Sequence, residues 1–139
     1  MMYNTFTMAN INPENFSQPV AEVLQALSSP ARIAIVVAIG RGESCVCHLE
    51  AILGWRQAYL SQHLMALRKA NLLKDRRDGR FIYYSLVDPV ILTLIRQAAE
   101  ACGIDPAEID AATNPDPGPH CECPNCAIPV IPTLEVKQR

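Results

Sequence analysis

The chain has 139 residues, half of them hydrophobic, with six cysteines, eleven prolines and a formal charge of −2. That length suits one domain with a tail. Its longest apolar stretch, Ile33 to Ile39, is far short of the roughly 20 residues that cross a bilayer, which excludes a membrane-spanning helix. Met1 to Phe16 lacks a cationic start followed by an apolar run, so we expect no signal peptide, a cytoplasmic location and no membrane partner. Disulfides are disfavoured in that compartment. The grouping of Cys45 with Cys47, and of Cys121 with Cys123 and Cys126, therefore points to metal binding or thiol chemistry. Cys102 stands alone at the end of an apolar helix and reads as a small hydrophobe.

Charge is unevenly placed. Between Arg56 and Arg80 seven basic residues face two acidic ones, a net of +5, whereas Gln97 to Ala127 holds six acids and no Lys or Arg. The first segment is suited to an anionic partner and the second would avoid one.

Residues 1–17 read as a flexible arm, 18–103 as the folded domain and 104–139 as a tail. Gln18 to Leu27 places Val20, Val23, Leu24 and Leu27 at the spacing of an amphipathic helix. Ser29-Pro30 then supplies a cap and a first helical residue. The apolar body that follows, ending at Gly40, is expected at the centre of the core. Ser44 can cap a short third helix that carries Val46, Leu49 and Ile52 and stops at Gly54. A fourth helix from about Gln57 to Ala70 faces Leu60, Leu64 and Leu67 inward, and the pair fits a helix-turn-helix. Leu72 to Arg77, Asp78-Gly79, and Arg80 to Leu86 read as strand, turn and strand. Pro89 opens a last helix to about Cys102, and the proline-rich stretch beyond Gly103 is expected to be extended.

Four segments in this order resemble the ArsR/SmtB family of metal-responsive repressors. They are Ser29-Pro30-Ala31-Arg32, the cysteine-bearing run Glu43 to Leu49, the helix Gln57 to Arg68, and the hairpin Arg77 to Tyr84. The resemblance covers about Val20 to Gly103. It implies a mainly α fold with a β-hairpin wing, a winged helix-turn-helix that acts as a homodimer. It further implies a partner in double-stranded operator DNA and a regulator, not an enzyme. Two recognition helices roughly 34 Å apart would read a palindrome.

The residues agree with that partner. A helix fits the major groove, where Gln can pair bidentately with adenine. Gln57, Tyr59, Ser61 and Gln62, on the N-terminal half of the fourth helix, are candidates for base-edge or phosphate contacts. His63 lies nearer the apolar edge and can serve DNA or packing. Arg68 can reach phosphate or pair with an acid. Arg76, Arg77 and Arg80 of the wing are candidates for the DNA backbone or minor groove. Such contacts make binding salt-dependent.

Thiolates are soft ligands that select ions such as Zn²⁺ and Cu(I). The resemblance extends the range to Cd²⁺, Pb²⁺ and trivalent arsenic or antimony as inducers, and it matches Cys45-Val46-Cys47 to the family's thiolate motif. Both cysteines are expected in the first turn of the third helix, where the dipole favours thiolate. Two residues apart on a regular helix is about 200°, so joint ligation would require that turn to distort. Where some arsenic-sensing relatives carry a further cysteine, this chain has Glu50. Cys121, Cys123 and Cys126 are the candidates for the missing ligands, closing on their own third helix or across the dimer. The family's other zinc site uses histidine on the last helix, and this helix has none. His48 reads as a ligand or as a surface residue. The alternatives are a redox-responsive repressor of the same fold, a structural metal site in the tail, and a thiol enzyme built on Cys123-Pro124-Asn125-Cys126. That last reading lacks the strand–helix context such enzymes need.

Overall fold

The computed structural model describes residues 12–118 and 121–126. Its elements run α1 (Glu14–Ala26), α2 (Pro30–Ile39), β1 (Glu43–Cys45), α3 (Val46–Leu53), α4 (Gln57–Lys69), β2 (Leu73–Asp78), β3 (Phe81–Leu86), α5 (Val90–Ala101) and α6 (Pro106–Ala111). Most of the arm, and residues 119–120 and 127–139 of the tail, lie outside the described residues.

Helix α2 is the hub. Ser29 holds the N-cap position in extended backbone and Pro30 opens the helix, although the Ser29 hydroxyl makes no capping bond. Ile35, Val36 and Ile39 are fully buried and pack with Leu49 of α3 and with Leu60, Leu64 and Leu67 of α4. Each such side chain contributes about 1.5–3 kcal/mol through burial. The i, i+4, i+7 spacing of the α4 leucines commits one face of that helix to the core and leaves the other free.

The wing is larger than the hairpin expected from the sequence. β2 and β3 pair antiparallel from Leu73↔Leu86 to Asp78↔Phe81. The turn is therefore Gly79-Arg80, one residue later than the Asp78-Gly79 reading. Gly79 takes φ +62°, as the first residue of a tight primed turn requires. A third strand, β1, joins on the other side of β3, with Cys45 opposite Tyr83. A three-residue strand carries too little periodicity to be seen in sequence.

Helix α1 begins at Glu14, four residues ahead of the reading. Val20 and Leu24 are half exposed, as is Phe16, so this stripe faces outward and only Val23, Ala26 and Leu27 join the core. Beyond α5 the chain is not uniformly extended, because Asp105 caps the short helix α6 by accepting from the Ala107 amide. Proline at the first helical position is compatible with a helix, which the count of prolines concealed. Among the described residues no single helix is long and apolar enough to cross a membrane.

Candidate metal centre and nucleic-acid interface

The tail returns to the body of the protein through a series of anchors. Arg96 donates to Asp110 at 2.9 Å, which ties α6 to α5. The Asn114 amide donates to the Ala38 carbonyl at 2.9 Å. Gly40 permits this approach, for a β-carbon there would lie 3.1 Å from the Thr113 Cβ, and its own φ is +62°. Pro115 then offers its carbonyl to His48 Nε2 at 3.2 Å. Finally Asn125 donates to Glu43 at 3.4 Å. These contacts deliver the tail cysteines to the junction of β1 and α3.

There the sulfurs converge. Cys45, Cys47, Cys121 and Cys123 have their Sγ atoms all within 4.8 Å of one another. Cys121 Sγ is 3.2 Å from Cys47 Sγ, 3.6 Å from Cys45 Sγ and 3.6 Å from Cys123 Sγ. A tetrahedral ion with Zn–S of about 2.3 Å requires S···S separations of roughly 3.8 Å, so the four sulfurs fit one ion. Cys45 and Cys47 are paired with each other as a disulfide, so all four sulfurs can serve as thiolate ligands only once that pair is reduced.

The local backbone explains how two cysteines only two residues apart reach the same side. Cys45 is not in the first turn of α3. It ends β1 in extended geometry (φ −81°, ψ 168°) and is the N-cap, its sulfur accepting the His48 amide at 3.2 Å. The helical divergence anticipated from the sequence does not arise, and no distortion is needed. The cap is Cys45 rather than Ser44, whose buried hydroxyl has no partner. An amide donor at a helix N-terminus stabilises thiolate there.

Around the four sulfurs stand His48, left open by the sequence between ligand and surface, and Tyr83 and Glu43, which the sequence did not single out. His48 is 6% exposed, and its Nδ1 lies 3.1 Å from Cys126 Sγ. His48 Nδ1, Cys121 Sγ and Cys126 Sγ form a second group within 4.8 Å. Burial holds the His48 imidazole below its ordinary pKa of 6.5, opposed by the bond to Pro115 and by Asp116. Tyr83, at 1% exposed, packs among the cysteines, and its hydroxyl has no hydrogen-bond partner among the described residues. Burial raises the Cys121 thiol, and burial pushes Cys126 up to about 12. At Cys123 burial acts in the same sense, but hydrogen bonds from Cys126 and Cys121 outweigh it and the net shift is downward. Glu43 and Arg76 form a two-point ion pair at 2.6 and 3.1 Å across the sheet. The Arg76 guanidinium also stands 4.5 Å over the Tyr83 ring. Arg76 is thus engaged within the wing while its side chain stays about half exposed.

The outer face of α4 presents Gln57, Tyr59 and Gln62 to solvent, with Ser61 half-buried beside them. Tyr59 is held edge-on between Trp55 and His63, at ring separations of 5.4 and 4.7 Å. His63 accepts from Arg32 Nε at 3.4 Å. This contact fits the packing role left open for it. Arg68 pairs with Asp75 at 3.5 Å. Arg77 and Arg80 are exposed, and Arg80 lies over the Phe81 ring at 5.2 Å. One cleft is lined by Cys45, Cys47, Glu50, Gln57, Arg80 and Phe81, so the sulfur pair and two DNA candidates share a wall.

Residues 29–75 match the family described as bacterial regulatory protein, arsR family. The transcriptional repressor SmtB homolog of Synechocystis sp. is 38% identical over 94 residues, covering 65% of this chain and 71% of its own. The chain belongs to the ArsR/SmtB family. A cadmium resistance transcriptional regulatory protein CadC homolog of Staphylococcus aureus is 36% identical over 80 residues, 57% of this chain and 66% of its own. Among solved structures, the homodimeric winged helix-turn-helix DNA-binding domain of Mb0332 from Mycobacterium bovis superposes with a TM-score of 0.58 at 24% identity. That match covers 66% of this chain and 85% of the other and carries the fold alone. The segment matched by the ArsR/SmtB family includes Cys45 and Cys47 but ends well before the tail cysteines.

Proposed function

We propose that this chain is a homodimeric, metal-responsive transcriptional repressor that holds a palindromic operator and lets go when cysteine thiolates take up a thiophilic ion. The observation that carries the reading is the convergence of Cys45 and Cys47 with Cys121 and Cys123, across more than seventy residues of chain, at the N-cap of α3. Helix α3 in turn packs through Leu49 on the core that supports α4. Cys45, Cys47, Cys121 and Cys123 are the proposed ligands, with Cys126 beside them. Cd²⁺, Zn²⁺, Pb²⁺ and arsenite or antimonite are the candidate inducers. The cadmium relative and the SmtB homolog support that class.

Gln57, Tyr59, Ser61 and Gln62 would meet base edges or phosphate, with Arg77 and Arg80 on the flanking backbone. His63 and Arg68 would act by fixing the helix, each being engaged within the chain. Phe16, Val20 and Leu24 of α1, with Val90 of α5 and Ile104 just beyond it, leave apolar surface uncovered in one chain. A second copy is the proposed cover, in keeping with the homodimeric fold relative. The domain of residues 18–103 would then read DNA and dimerise in the cytoplasm, and the tail 104–139 would supply ligands. No turnover is required of any residue.

The test is fluorescence anisotropy on DNA from the chain's own promoter, titrated under reducing conditions with arsenite, Cd²⁺, Pb²⁺ and Zn²⁺. Release at stoichiometric ion is expected, and binding indifferent to all four would remove the metal reading. A second reading, a thiol-redox repressor, draws on the closeness of the Cys45 and Cys47 sulfurs, which would let them pair and separate with redox conditions. It requires release by oxidant and recovery with reductant, in the absence of any ion.

A further inference from the structure

The pocket holds more donors than one ion can use. Cys45, Cys47, Cys121 and Cys123 already satisfy four-coordination. His48 and Cys126 remain, and both stand against Cys121, in a second group whose ligand atoms also lie within 4.8 Å of one another. The two groups share Cys121 and no other residue.

His48 is arranged as a ligand and not merely as a neighbour. Its Nε2 faces the Pro115 carbonyl at 3.2 Å. A carbonyl can only accept, so Nε2 carries the proton and Nδ1 is left with its lone pair aimed at the sulfurs, 3.1 Å from Cys126. Metal-bound histidines are oriented by this same device, the second ring nitrogen donating to a backbone carbonyl.

We propose that the reduced pocket binds two soft divalent ions, bridged by the Cys121 thiolate. The first is held by Cys45, Cys47, Cys121 and Cys123, and the second by His48 Nδ1, Cys121 and Cys126. A dithiol reductant first opens the Cys45–Cys47 pair and is itself oxidised to its disulfide; each thiol then releases its proton to solvent as its bond to the ion forms, and ion binding itself transfers no electron. The proposal rests on the metal-responsive reading above and deepens it, because the second ion would tie the tail to α3 through His48.

The test uses reduced, metal-free, full-length protein carrying Cys102→Ala, which removes the exposed thiol outside the pocket. Cd²⁺ is titrated against a competing chelator, with ions counted by native mass spectrometry and their sites resolved by cadmium NMR. Two ions per chain and two resonances are expected. His48→Gln and Cys126→Ser should each leave one ion and one resonance, that of the all-sulfur site. Circular dichroism would establish that both variants fold. Saturation of the parent at one ion, or retention of two by both variants, would overturn the two-ion site and leave metal sensing intact. Binding of no ion at all would remove both.

Discussion

The buried cluster around Ile35, Ile39, Leu60 and Leu64 is wholly apolar, whereas the one around Tyr83 is built from Cys45, Cys121 and Cys123 with Cys47 and Cys126 at its edge. The first is closed by hydrophobic burial and needs nothing added. The second is held by sulfur contacts and by a tail with little secondary structure, and it leaves the Tyr83 and Ser44 hydroxyls without partners. On the proposed function, stability and responsiveness fall to different parts of one small fold. An ion that binds the second cluster acts where the chain has least cohesion of its own, next to a helix that the first cluster holds firmly.

The largest effect should come from breaking the apolar side of that comparison. Leu64→Ala empties a site 1% exposed, and such truncations cost about 2–5 kcal/mol. Urea denaturation of the reduced, metal-free protein should show this loss, with a much smaller one for Cys121→Ser. Equal losses would mean that the thiol cluster is part of the cooperative core.

The next effect belongs to the sulfur side. Cys47→Ser should leave operator affinity unchanged without ion and abolish its loss on adding Cd²⁺. Coupling of this kind amounts to about 1–3 kcal/mol, or roughly 5–150-fold in affinity. Anisotropy with and without ion measures both quantities. A variant released as readily as the parent would place the sensing ligands elsewhere.

The same division governs what the sequence revealed. Helices α2 and α4 were legible because apolar residues at helical spacing report burial directly, and because Pro30, Gly40 and Gly54 punctuate them. The wing was legible from Asp78-Gly79 and the aromatic run Phe81 to Tyr84, apart from a one-residue shift of the turn. The cysteines could be seen as a set from their spacing, but not their arrangement. That depends on the strand β1, on Cys45 rather than Ser44 taking the cap, and on a tail routed by Asn114 and Pro115. None of these has a periodic signature, and all but the local cap are tertiary contacts. His48 was open between ligand and surface because only the returning tail buries it. The pairing of Arg76 with Glu43 was not legible, since nothing local discloses Glu43 across the sheet.

Glu43→Gln probes the seam between the two regions. The Glu43–Arg76 pair is substantially exposed, and such pairs contribute about 0–1 kcal/mol, so thermal stability should change little. Glu43 also receives Asn125, the neighbour of Cys126. If this seam transmits tail docking to the wing, the variant should keep its full Cd²⁺ stoichiometry while its release from DNA weakens by a few-fold. Unchanged release would confine the coupling to α3.

The smallest effect is expected at His63, on the apolar side. Burial lowers its pKa below the ordinary 6.5, and the facing Arg32 guanidinium lowers it further. The unfolded chain thus takes up this proton at a higher pH than the folded one. The stabilisation is complete above about pH 6.5 and is lost as pH falls through the depressed folded value. Denaturation midpoints of wild type and His63→Gln should therefore converge or cross as the pH is lowered from neutral towards 5, wild type losing more. Since Arg32 Nε donates to His63 Nδ1 at 3.4 Å, protonation there replaces an acceptor with a cation facing a cation. The α2–α4 contact should loosen while the cysteine pocket, which His63 does not touch, keeps its ion count. Parallel pH profiles for the two proteins would instead assign the acid sensitivity to groups outside this contact.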